Sequence, residues 1–64
     1  MGRINLKNAR KSKNMTQQAV ADYLGIFIDY YKKIEKGART GNVELWDKLE
    51  DLLNTHQREL RHVS

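Results

Sequence analysis

The 64 residues contain no cysteine and no proline. Without cysteine, disulfide scaffolds, thiolate zinc sites, iron–sulfur clusters and cysteine nucleophiles are excluded. A chain this small that does without disulfides suits a reducing compartment. Without proline, punctuation falls to four glycines: Gly2 near the start, then Gly25, Gly37 and Gly41, which cut the chain into helix-sized pieces. No apolar run approaches the roughly 18 residues of a membrane-spanning helix, and no signal-peptide pattern is present. A cytoplasmic location with no membrane partner is therefore expected. Histidine is also scarce. His56 and His62 are six residues apart, about 240° around a helix, so they cannot share a metal ion. No metal, no cofactor and no Ser–His–Asp arrangement is expected.

What is present is a small basic chain. At 7.5 kDa it has room for one domain, over residues 1–64, that buries roughly 60% of its unfolded surface. So thin a core fits a helical bundle and leaves little room for a catalytic cleft, and no enzyme chemistry is expected. Charge is uneven. Residues 1–41 carry nine Lys/Arg against three acids, a net of +6, and residues 42–64 carry three against five, a net of −2. A basic two-thirds joined to a mildly acidic end suggests a polyanion-facing part.

Apolar spacing then divides the chain. Leu6, Ala9, Arg10 and Lys13 repeat at helical intervals over about 5–13, with Asn14 as a stop. Thr16 is a good N-cap for a second helix with Val20, Ala21 and Leu24 as its apolar edge, ending at Gly25. A third helix is predicted over about 27–36, stopped by Gly37. Its inner face carries Tyr31 and Ile34, and its outer face Ile28, Asp29, Lys32, Lys33 and Lys36. Phe27 stands where an N-cap is expected and is a poor one. Asn42 is the N-cap candidate for a last helix that is strongly patterned to Leu53 and weakly patterned beyond it. The expected fold is all-α, a compact bundle of four to five helices, with a core over about 4–53 and a C-terminal helical extension over about 54–64.

Two short helices around a glycine turn form a helix-turn-helix arrangement, in which the second helix enters the major groove of DNA. The segment MTQQAVADYLGI followed by YYKKIEKGAR resembles the phage repressor and Cro-type, or Xre-like, helix-turn-helix family. The resemblance runs over about residues 4–53. It is carried by Arg10, Thr16, Gln17, Val20, Ala21, Leu24, Gly25, Ile26, Tyr31, Ile34, Glu35 and Gly37.

That resemblance implies roles. Gln17 matches a residue that touches DNA phosphate. Ile28, Asp29 and Lys33 match positions that reach base edges, Lys32 and Lys36 stand near the groove rim, and Arg39 matches a loop that grips the backbone. Arg10 and Glu35 match a partly buried salt bridge. Ala21 falls where the two motif helices touch. Two departures stand out: Phe27 replaces the usual Ser or Thr, and an acid, Asp29, sits among the base-reading positions. Asp29 suits either a cytosine amino group or the positive end of its own helix. Tyr23 and Tyr30 suit either hydrogen bonds to phosphate or half-buried amphipathic positions.

The implied function is a sequence-specific DNA-binding regulator, a repressor on a palindromic operator in double-stranded DNA, prokaryotic or phage-encoded. The alternative is a protein-interaction module of antirepressor or antitoxin type that uses Phe27 and Ile28 to dock a regulatory protein. Trp46, Leu49, Leu53, His56, Leu60 and Val63 are spaced 3, 4, 3, 4, 3, a seam of coiled-coil type. On this spacing Leu45, Leu49 and Leu52 serve the domain core, and Trp46, Leu53 and Leu60 are expected to hold a homodimer. The competing expectation makes every leucine core and 55–64 a frayed tail.

Overall fold

Five helices follow one another in the computed structural model, which describes residues 2–63: α1 (Ile4–Ser12), α2 (Gln17–Leu24), α3 (Ile28–Lys36), α4 (Val43–Leu53) and α5 (Gln57–Arg61). Met1 and Ser64, the ends of the predicted domain, lie outside the described residues. No strand occurs among the described residues.

Local chemistry sets the boundaries. The Thr16 hydroxyl accepts the Ala19 N–H at 3.0 Å, and the Asn42 side chain accepts the Leu45 N–H at 2.8 Å, so α2 and α4 each begin on a satisfied cap. Gly25, at φ 71°, ends α2 in the left-handed region, and the next amide, Ile26, reaches back to the Ala21 carbonyl at 3.0 Å. Gly37, at φ 86°, ends α3 in the same manner. Phe27 gives α3 no side-chain cap.

The core is assembled from all five helices. Leu6 comes from α1, Val20, Ala21 and Leu24 from α2, Tyr31 and Ile34 from α3, Leu45, Trp46, Leu49 and Leu53 from α4, and Leu60 from α5. Ala21 is fully buried, with α2 packed against α3. α1 and α4 both pack against α5.

The C-terminal region corrects the expected dimer seam. Trp46 and Leu60 are fully buried and Leu53 is 3% exposed, all within this chain's own core. The reason is Asn54, which takes φ 52° and breaks the helix. The chain turns there, and α5 folds back onto α1 and α4, so the 3–4 spacing belongs to two helices that meet one core. Residues 57–61 are a docked helix, neither a frayed tail nor a continuation of α4. One outward assignment on α3 also changes: Ile28 is half-buried and packs against the core.

Arg3 completes the enclosure. It is 5% exposed. Its Nη1 donates to the carbonyls of Ile34 at 2.6 Å and Arg39 at 2.8 Å, and its Nε donates to Arg61 O at 3.1 Å. The guanidinium lies 5.2 Å from the centre of the Trp46 ring, and that of Arg61 lies 5.8 Å from it. Burial, and then repulsion from Arg61, lowers the Arg3 pKa from its ordinary value. A buried cation without an acid partner is thus held by three carbonyls and an aromatic face.

Candidate nucleic-acid interface

The segment from Thr16 to Gly37 presents a short helix, a left-handed glycine turn and a second helix. α3 rests on the core through Tyr31 and Ile34, which turns its opposite side outward. Asp29, Lys32, Lys33 and Lys36 are exposed on α3, and Arg39 is exposed in the loop after it. This row is the side of the motif turned to solvent. Asp29 lies in the first turn of α3, where a negative charge complements the helix dipole, and Lys33 and Lys36 lie in the last turn, where positive charge does so.

Ile28 and Tyr30 are half-buried against the core, so each offers only part of its surface. Phe27 is 86% exposed at the entrance to α3. Gln17, at the start of α2, is half-buried, and its Nε2 donates to Glu35 Oε1 at 3.1 Å.

Beneath this surface Arg10 and Glu35 join α1 to α3. Arg10 Nε reaches Glu35 Oε2 at 2.7 Å, with side-chain exposures of 9% and 7%. Arg10 Nη1 also donates to the Met15 carbonyl at 2.9 Å. The Glu35 hydrogen bond is the main cause that raises the Arg10 pKa, against the opposing effect of burial. Beside them the Tyr31 hydroxyl is buried without a hydrogen-bond partner. Burial pushes its pKa well above the usual phenol range, and the Glu35 carboxylate pushes the same way.

The motif shows a recognition helix with an exposed cationic face, braced from behind by a buried ion pair. This is the architecture of a DNA-binding transcription regulator. The Helix-turn-helix family HTH_3 matches residues 6–60, and the chain belongs to that family. Among solved structures it is similar to the restriction-modification controller protein C.AhdI from Aeromonas hydrophila, with 28% identity and a TM-score of 0.75, over 88% of this chain and 85% of that one. No curated protein matches the sequence. No helix among the described residues is long and apolar enough to cross a membrane.

Proposed function

We propose that this chain is a cytoplasmic repressor of prokaryotic or phage origin that binds a palindromic operator as a homodimer. The observation that carries the reading is the outward row Lys32, Lys33 and Lys36 on α3, continued by Arg39. Phosphate contacts from such cations supply affinity, and the base edges facing α3 supply selectivity. Gln17, beside the last turn of α3, and Ile28, Asp29 and Tyr30, in its first turn, are assigned to DNA contact with it. One nine-residue helix spans too few base pairs for tight selection, which favours two copies on a two-fold site. Their mutual contact lies outside the Trp46–Leu53–Leu60 seam, because the core already uses those side chains. The likeness to a controller of restriction-modification supports a role in switching transcription.

The test is selection of duplexes from random DNA, followed by sedimentation of the chain with the selected site. Two inverted half-sites, centred about 10–10.5 base pairs or a multiple of that apart and bound by two chains, are expected. A selected site without two-fold symmetry, bound by one chain, refutes the dimer. A chain that enriches no sequence refutes the repressor.

The exposure of Phe27 beside Ile28 favours a second reading, a docking site for a regulatory protein. Salt separates the two. DNA binding weakens steeply with ionic strength, whereas an apolar contact through Phe27 does not.

A further inference from the structure

α1 and α3 form the two walls of an open groove on the basic side of the molecule. Lys7 and Lys11 line it from α1, and Lys32, Lys33 and Lys36 line it from α3. Lys7 and Lys11 are four residues apart, as are Lys32 and Lys36. Each pair therefore occupies one face of its helix, one turn apart, about 6 Å along the axis. All five side chains are exposed, and none makes an ion pair among the described residues. Of the acids on the groove, Glu35 is engaged by Arg10. Asp29 is left, one carboxylate against five lysines.

Five unpaired cations around one groove repel one another in the isolated chain. The arrangement is held open all the same. The Arg3 amide donates to the Glu35 carbonyl at 2.8 Å, and Arg10 bonds Glu35 from α1. A Cβ on Gly2 would lie 2.9 Å from the same carbonyl, so the segment before α1 lies flush on α3. These contacts tie the helix that carries Lys7 and Lys11 to the helix that carries Lys32, Lys33 and Lys36.

We propose that the first helix is part of the DNA interface: Lys7 and Lys11 grip a phosphate strand that runs along the groove between α1 and α3. This rests on the DNA-binding reading and extends it from the helix-turn-helix to the element before it. The ligand chemistry is a row of phosphodiesters. The contacts carry affinity and no base preference, because lysines meeting a backbone read charge alone. Gln17, on the same groove, marks where the strand passes the start of α2.

The experiment measures binding of the full chain to a mixed-sequence double-stranded oligonucleotide by fluorescence anisotropy between about 50 and 200 mM salt. Three proteins are compared: wild type, Lys7→Ala/Lys11→Ala, and the charge-matched Lys13→Ala/Lys48→Ala, whose exposed lysines lie off the groove. The groove variant is expected to lose about 1.8 from the slope of log affinity against log salt, at about 0.9 per lost phosphate contact, while the control keeps the wild-type slope. The groove variant also keeps the wild-type ranking of sequences in a selection. A groove variant with the wild-type slope, or a control that loses as much, overturns the proposal and leaves DNA binding intact. A wild type whose affinity for duplex DNA does not respond to salt overturns the DNA-binding reading and this inference with it.

Discussion

Arg10 holds Glu35 through two nitrogens, Nε to Oε2 at 2.7 Å and Nη2 to Oε1 at 3.3 Å, and Gln17 donates to that same Oε1 at 3.1 Å. The side chain that the family resemblance assigns to phosphate is therefore oriented by a buried ion pair behind it. The pair braces the surface as well as joining α1 to α3.

Glu35→Gln leaves the Arg10 guanidinium buried without a counter-charge, which typically costs about 3–5 kcal/mol. In a domain of this size each kcal/mol moves the melting temperature by about 4–8 °C. Thermal denaturation followed by circular dichroism should show a fall of more than 10 °C. Glu59→Gln, at an exposed site, should change stability by no more than about 0.5 kcal/mol. Equal melting temperatures for the two variants remove the pair from the stability account.

Tyr31→Phe should stabilise the chain. The hydroxyl lies buried beside the Arg10–Glu35 pair without a hydrogen bond of good geometry, and an unsatisfied polar group of this kind costs about 1–3 kcal/mol. The substitution also changes the alkaline limb. The folded state favours the neutral phenol, so the native chain keeps its proton where the unfolded chain releases it. Wild-type stability is unaffected by this group below about pH 10 and falls as pH rises beyond it. Urea denaturation above that pH should show a steeper loss for wild type than for Tyr31→Phe. A Phe variant that is less stable at neutral pH argues for a hydrogen bond to the hydroxyl.

Lys33 and Lys36 stand three residues apart in the last turn of α3, and their losses should differ. Lys33→Ala should relax selection at one base pair by about 1–3 kcal/mol if it reads a guanine. Lys36→Ala should weaken all sequences alike and lower the salt slope by about one. Competition binding on a panel of single-base operator variants separates the two patterns. Unchanged binding by both variants refutes the placement of α3 in the groove.

Leu60→Ala should cost about 2–5 kcal/mol, and the cost should not vary with protein concentration, because the side chain fills this chain's own core. A chain ending at Asn54 should lose still more, since α5 covers α1 and α4. Urea melts at several protein concentrations make the check. A loss seen only in dilute samples restores Leu60 to a dimer contact.

The first four helices were legible in the sequence because each has a boundary residue with local chemistry, which for α1 is Asn14 in the left-handed region at φ 57°. Thr16 and Asn42 cap through their own side chains, and Gly25 and Gly37 take a backbone conformation that few residues tolerate. The break at Asn54 was not legible. The apolar pattern weakens after Leu53, but the 3–4 spacing continues through Asn54 to Leu60 and Val63, so one pattern served a long seam and a folded-back pair equally well. Arg3 was illegible for a different reason. An arginine near a chain end reads as solvated, and its three carbonyl partners are backbone atoms that no sequence pattern marks. In the candidate site, helical spacing placed the row on the outer face of α3, and the resemblance supplied its roles. Lys7 and Lys11 were passed over because their relation to α3 exists only once α1 has docked.

Arg3 binds Arg61 across 58 positions of sequence, and the Asn5 side chain reaches the Glu59 carbonyl across 54. During synthesis the N-terminal residues leave the ribosome first, at about 5–20 residues per second, and wait several seconds for their partners. Until α5 emerges, Leu60 is missing from the core and the Arg3 guanidinium lacks one of its three acceptors. The helix that carries the lysine row is translated well before the element that seals its scaffold, so α3 stands on an incomplete core until α5 has been made.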